Sequence, residues 1–164
     1  MSSPTSSDPD AGARPQLDAR EAWHRLLQLS SRVLRELDSS LDRHERMRVS
    51  EFDVLITLDN APDRRLRMTD LARATMLSSG GMTRLVGRLE DRGLVRRDPD
   101  PEDARAFQAT LTQAGQAAVA RARTTHDNVI ANLLGAHLTP AELQTLEDTL
   151  AKVLADGERA ARAA

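Results

Sequence analysis

Apolar side chains recur along this chain mostly at helical spacing. Between residues 17 and about 43 they fall at Trp23, Leu26, Leu27, Val33, Leu34, Leu37 and Leu41. These steps mark one face of a long amphipathic helix. A second helix is expected from Ser50-Glu51-Phe52-Asp53, with Ser50 as its cap and an acidic residue at the third position. Its apolar face is Phe52, Leu55, Ile56 and Leu58, and Asn60-Ala61-Pro62-Asp63 ends it. Residues 69–75 read as a short helix with Leu71 and Ala72 inward, and Met76-Leu77 as a turn. Ser78 then caps a helix that runs to about Arg92, where Gly93 stops it.

The pattern changes after Gly93. Residues 94–97 and 106–111 read as two short strands, the second with Phe107, Ala109 and Leu111 on one face. The loop 98–105 between them is rich in turn formers. Helical spacing resumes over 113–134 with Ala114, Ala117, Ala118, Val129, Ile130, Leu133 and Leu134. Thr139-Pro140-Ala141-Glu142 opens a last helix: Thr caps, Pro takes the first position and Glu reaches back. Leu143, Leu146, Leu150, Val153 and Leu154 form its apolar face.

A short helix, a turn, a second helix and a two-stranded ribbon, in that order, make a winged helix-turn-helix. The fold class expected is therefore mainly α with a small β-wing, a winged helix-turn-helix lobe plus helices from both ends of the chain. In the second helix of the motif, Met82, Leu85, Val86 and Leu89 form a stripe to bury. Ser79, Gly80, Thr83, Arg84, Gly87 and Arg88 fall on the other face, with short residues near the N-terminus where backbone can approach a groove. Arg84 is long enough to reach guanine O6 and N7 in the major groove, and Thr83 to meet a thymine methyl or a phosphate. Ser78 and Ser79 sit at the positive end of the helix dipole, a place to hold phosphate. Arg105, near the wing tip, suits a narrow minor groove. Asp103, two residues earlier, can hold that side chain or one from the recognition helix. The blander reading of Arg84 and Arg88 is two solvated arginines on an exposed helix, and of the ribbon a charged surface hairpin.

Composition agrees with a helical protein. The 164 residues are 40% hydrophobic but only 2% aromatic, so the core is built from Leu, Val, Ala and Met. The absence of Cys excludes disulfides, thiolate metal sites and cysteine redox sensing. His24, His44, His126 and His137 are scattered and form no zinc motif. No apolar run approaches a membrane span, and the N-terminus lacks the apolar stretch of a secretory signal, so a cytoplasmic protein is expected. No cofactor is implied. No nucleophile with a base and no phosphate-cradling glycine loop points to an enzyme.

The net charge of −2 is unevenly spread. Nine arginines against Asp70, Glu90 and Asp91 give residues 64–97 a balance of +6, leaving −8 for the rest. A basic patch on an acidic protein is the footprint of phosphate contact confined to one lobe. The wing is different: residues 98–105 hold four acidic side chains and one arginine. Binding is thus expected to lean on Arg84, Arg88 and the helix N-terminus more than on the wing.

The run LARATMLSSGGMTRLVGRLEDRGLVRRDPDPEDARAFQATLTQAG resembles the MarR family of bacterial transcription regulators. The resemblance is carried by Ser79-Gly-Gly-Met-Thr-Arg84-Leu-Val, Arg88-Leu89-Glu90, Gly93-Leu94-Val95, Asp103-Ala-Arg105 and Leu111-Thr112. It implies a homodimeric regulator, most often a repressor, that binds double-stranded DNA at a pseudo-palindrome. The Ser, Pro, Asp and Gly content of residues 1–16 reads as a disordered tail, and the resemblance implies a dimerisation helix over 17–48, the DNA-binding lobe over 49–112 and dimerisation helices over 113–160. The two recognition helices of such a dimer stand about 34 Å apart, one helical turn of DNA. In relatives a phenolic or other anionic aromatic effector binds where the dimer helices meet the lobe. Trp23, His24 and Phe52 are the candidates for that cleft here, although Trp23 and Phe52 also read as core. The alternative function is a helical protein-interaction module that has lost DNA binding.

Overall fold

A computed structural model describes residues 18–163, apart from 76, 77, 102 and 104. The expected tail over 1–16 and the expected turn at Met76-Leu77 lie outside the described residues. The elements run α1 Ala19–Glu45, α2 Val49–Asn60, a 3-10 turn Pro62–Arg64, β1 Arg65–Arg67, α3 Met68–Ala74 and α4 Ser79–Asp91. They continue with β2 Val95–Pro99, β3 Phe107–Leu111, α5 Gln113–Ile130, a π-helical turn Ala131–Gly135 and α6 Pro140–Ala163. This is the mainly helical architecture with a small β-wing that the pattern predicts.

The chain falls into two units, one ending at Arg32 and one beginning at Val33. The described part of the first is the N-terminal half of α1. Its apolar residues Trp23, Leu26, Leu27 and Leu29 are all exposed. The second unit holds the core. Leu41, Met47, Phe52, Val54, Leu55, Leu58, Leu71, Met82, Val86, Leu89, Val95, Ala109 and Val119 are buried together. Five helices and the sheet thus each contribute apolar side chains, which is how a small lobe closes a single core.

The wing has three strands rather than two. All pairs are antiparallel, in the order β1-β3-β2. Leu66 and Arg97 flank Ala109 from either side. Strand β1 has no counterpart in the sequence reading. Three residues make no alternation, and their partner lies more than forty positions later.

Helix boundaries separate the local signals from the tertiary ones. Gly93 has φ +69°, and the N–H groups of Gly93 and Leu94 reach back to Glu90 and Leu89 at 2.8 and 2.9 Å. That is the Schellman stop foreseen at Gly93, with buried Leu89 and Leu94 as its apolar pair. Thr139 and Glu142 cap α6 reciprocally, as expected: the Thr139 N–H donates to Glu142 Oε2 at 2.8 Å. The expected cap of α2 is different. Ser50 lies inside the first turn, and the orphan N–H groups of Arg48 and Val49 are taken by Glu51 (2.9 Å) and by Asp38 of α1 (3.1 Å). A carboxylate from another helix therefore outcompetes the local hydroxyl. Thr112 caps α5 by accepting from Gly115 N–H at 3.0 Å, and its hydroxyl donates to the Gly93 carbonyl at 2.7 Å. One side chain thus joins the end of α4 to the start of α5.

Candidate DNA-binding surface

Helix α4 starts cleanly for a physical reason. Ser78 is extended (φ −66°, ψ 151°), and its hydroxyl accepts from the Gly81 N–H at 3.2 Å. This cap offsets part of the roughly 1 kcal/mol per glycine that Gly80 and Gly81 cost the helix relative to alanine. A methyl group at Gly80 would meet nothing within 4 Å, so no protein contact there demands a glycine. Gly80 leaves the backbone of the first turn exposed at that point.

The two faces of α4 are those expected. Met82, Leu85, Val86 and Leu89 are buried in the core, whereas Thr83, Arg84 and Arg88 are exposed. Ser78 and Gly80 stand exposed at its N-terminus, and Ser79 is its first residue. The Arg84 Nε–H makes a long hydrogen bond to the Gly80 carbonyl (3.4 Å). Arg88 lies 3.9 Å from Glu51 Oε1, an ion pair without a hydrogen bond.

The basic balance of residues 64–97 is largely neutralised within the fold. Arg64 pairs with Asp59, Arg65 with Asp63, Arg67 with Asp100, Arg73 with Asp70, Arg92 with Glu51, Arg96 with Asp98 and Arg97 with Glu90. Glu51, Asp59, Asp63, Asp98 and Asp100 lie outside that stretch, which is why the local balance overstates the field. Arg84 has no carboxylate partner among the described residues, nor has Arg105 on the wing. These two guanidiniums remain available to phosphate or base.

The wing is built on a buried aspartate that the sequence reading did not single out. Asp100 accepts two hydrogen bonds from Arg67 (2.7 and 3.1 Å), one from Gln108 Nε2 (2.9 Å) and one from the Asp103 N–H (3.2 Å). Its own N–H donates to the Ala106 carbonyl at 2.9 Å. The local part of this pattern, an aspartate accepting the N–H three residues on, is a turn signal legible in sequence. The part supplied by Arg67 is not. Asp103 supports the wing through backbone: its carboxylate accepts the Arg105 N–H at 2.9 Å, leaving the Arg105 guanidinium outward. Asp98 is held below the ordinary aspartate range chiefly by its hydrogen bond from Arg96, with help from the Thr110 hydroxyl.

Between α3, α4 and the wing lies an open cleft of about 350 Å³ lined by Arg67, Thr83, Arg97, Arg105 and Phe107, among others. Of the residues considered for an effector cleft, Trp23 is 55% exposed and His24 is also exposed. Phe52 is 2% exposed, and its ring stacks on His126 with centroids 5.1 Å apart. Phe52 thus serves the core. Among the described residues no group of three His, Cys, Asp or Glu side chains is arranged to hold a metal. No described helix is long and apolar enough to cross a membrane.

Comparison with known proteins points one way. The family model described as MarR family matches residues 47–106, from the start of α2 to the wing turn. The multiple antibiotic resistance protein MarR of Escherichia coli is 30% identical over 131 residues, 80% of this chain and 87% of that protein. The HTH-type transcriptional regulator SarZ of Staphylococcus haemolyticus is 31% identical over 86 residues, and the match spans 52% of this chain and 56% of that one. Among solved structures, Sco3205, a MarR family transcriptional regulator from Streptomyces coelicolor solved in complex with DNA, superposes with a TM-score of 0.77 at 29% identity. The superposition covers 84% of this chain and 86% of that one. Agreement extends from the recognition helix through the wing to the flanking helices, and the chain belongs to the MarR family of DNA-binding transcriptional regulators.

Proposed function

We propose that two copies of this chain bind a pseudo-palindromic operator, each placing α4 in the major groove and Arg105 in the adjacent minor groove, and that binding represses transcription. The observation that carries this reading is that Arg84 has no carboxylate partner among the described residues. It stands on the exposed face of α4, one turn from a helix start capped by Ser78 and carrying Gly80 and Gly81, in a lobe whose other α4 and wing-strand arginines face carboxylates. A guanidinium left without a carboxylate among so many acids is suited to a partner outside the chain. Guanine N7 and O6 give it a bidentate one. Support for two copies comes from the exposed apolar side chains Leu34, Leu150, Val153 and Leu154. The alternative, an interaction module without DNA binding, gains nothing from Arg84 and Arg105 having no carboxylate partner among the described residues.

We also place release by a small anionic aromatic compound on this surface. The cleft lined by Arg67, Arg97, Arg105 and Phe107 offers the Arg105 guanidinium, which has no carboxylate partner among the described residues, and one 51% exposed aromatic ring, the chemistry that an aromatic carboxylate uses. A ligand seated there would occupy ground that DNA needs.

The test is a duplex selected by the wild-type chain from a random pool, followed by fluorescence anisotropy on that duplex. The expected result is a palindromic consensus bound by two chains, with affinity lowered by millimolar benzoate-type carboxylates. Failure to enrich any sequence would overturn the reading.

A further inference from the structure

Glu51 and Asp100 are the two charged residues buried among the described residues. Asp100 belongs to the wing. Glu51 lies on α2, and it is tied to Arg88 of α4 and to Arg92 just past its end. A buried carboxylate carries a large desolvation penalty unless cations and donors surround it. Glu51 has them: the Arg48 N–H at 2.9 Å, Arg92 Nη1 at 3.1 Å and Arg88 Nε at 3.9 Å. Arg92 also donates through Nη2 to the Arg46 carbonyl at 3.0 Å, at the corner between α1 and α2, where Arg46 itself has φ +50°. One carboxylate therefore joins the first turn of α2, the end of α4 and that corner.

The two arginines differ. Arg92, with its two hydrogen bonds, anchors the C-terminal end of α4. Arg88 lies one turn beyond Arg84, its side chain is 58% exposed, and its link to Glu51 is loose. Its guanidinium has two possible acceptors, Glu51 and a DNA phosphate.

We propose that Glu51 is a positioning residue for DNA reading: it locks the end of α4 through Arg92 and draws Arg88 away from phosphate, so that sequence-specific contact outweighs plain charge attraction. The proposal rests on α4 being the DNA-contacting helix. It makes a prediction that a purely structural role for Glu51 does not. Loss of the charge weakens specific binding and strengthens non-specific binding together. A fold that is merely destabilised weakens both.

The test uses the full chain, the selected duplex described above and a random-sequence duplex of the same length. Glu51→Gln is nearly isosteric, and its amide oxygen still accepts from Arg48. The ratio of specific to non-specific affinity is expected to fall roughly two- to thirtyfold, the range of substitutions that act at a distance from the ligand. On the random duplex, the slope of log affinity against log salt is expected to steepen by about 1, as Arg88 engages one more phosphate. Adding Arg88→Ala should return the slope to its wild-type value. An unchanged ratio with an unchanged slope overturns the proposal, and so does a parallel loss of both affinities. If circular dichroism shows that Glu51→Gln does not fold, Arg92→Gln breaks the anchoring bond from the more exposed side, and the ratio must still fall. Should Arg84→Ala leave binding to the selected duplex intact, the reading of α4 itself fails and the role of Glu51 falls with it.

Discussion

Arg67 and Asp100 meet as a fork across the base of the wing, with Nε on Oδ2 at 2.7 Å and Nη2 on Oδ1 at 3.1 Å. The Asp100 side chain is fully buried, whereas that of Arg67 keeps 40% of its surface. The pair ties the short strand β1 to the turn that carries Arg105. The geometry suits a planar guanidinium and would not suit lysine. Asp100→Ala removes the acceptor of the Gln108 amide and of the Asp103 N–H and takes the fork from the Arg67 guanidinium. Arg67 is partly hydrated, which limits the cost, and a loss of about 1–3 kcal/mol is expected. Urea unfolding would measure it, and a loss below about 0.5 kcal/mol would mean that the wing turn holds itself.

Arg84 and Arg105 should separate by the kind of binding each supports. Arg84→Ala is expected to cost about 1–3 kcal/mol on the selected duplex and little on random sequence. Arg105→Ala should weaken binding to both and flatten the salt slope by about 1 if its contact is to phosphate. Equal effects of Arg84→Ala on the two duplexes would show that α4 is not reading bases.

What the sequence shows of this surface is its local chemistry. The Gly93 stop, the Ser78 and Thr139 caps and the buried stripe of α4 all depend on residues within one or two turns, and each is legible. The cap of α2 is only half legible, because Glu51 is three residues from Arg48 but Asp38 comes from another helix. Strand β1 is not, because its pairing partner, residues 108–110, is remote in sequence. Asp100 reads as a solvated turn residue until Arg67 is brought to it. Charge divides the same way. Arg65 and Arg96 meet aspartates two residues away in sequence, whereas the pairing of Arg67 with Asp100 and of Arg92 with Glu51 is a tertiary fact.

Gly115 sets two effects against each other. In a helix, Gly→Ala is ordinarily worth about 1 kcal/mol of stabilisation. Here the added Cβ would lie 2.1 Å from the Leu94 carbonyl oxygen and 2.6 Å from Leu111 Cδ1. The first of these is backbone at the end of the recognition unit and cannot step aside like a side chain. Overpacking of this kind typically costs about 1–3 kcal/mol, so the clash is expected to win. A melting temperature for Gly115→Ala at or above wild type would contradict the close approach of α5 to Leu94.

Two aspartates should act oppositely with pH. Burial raises the pKa of Asp53, against the weaker opposite pull of His126. The native state then binds more protons than the unfolded chain, so this group's contribution is full below the ordinary aspartate range and is lost as pH rises through the raised value. Asp98 is lowered by Arg96, so its contribution is present above the ordinary range and is lost as pH falls. Asp53→Asn should therefore raise the melting temperature at pH 7 and lose that advantage near pH 3. Asp98→Asn should lower it at pH 7 and matter less in acid. The same sign for both variants at pH 7 would refute this assignment.

The exposed apolar residues give the remaining prediction. Val153 and Leu154 are 65% and 70% exposed on α6, and Leu34 is 53% exposed on α1. A single exposed leucine needs no explanation, but recurring exposed apolar positions on both end helices do. If a second copy covers them, the chain sediments as a dimer at micromolar concentration. Leu154→Glu and Val153→Glu together would then put charges into an apolar contact and drive it to monomer. The lobe core, built from other residues, should keep its unfolding transition in the monomer. Affinity for a full palindrome should drop towards that for a half-site, while Arg84→Ala still weakens what binding is left. A wild-type chain that sediments as a monomer at those concentrations would remove the two-fold operator and leave each lobe to read DNA alone.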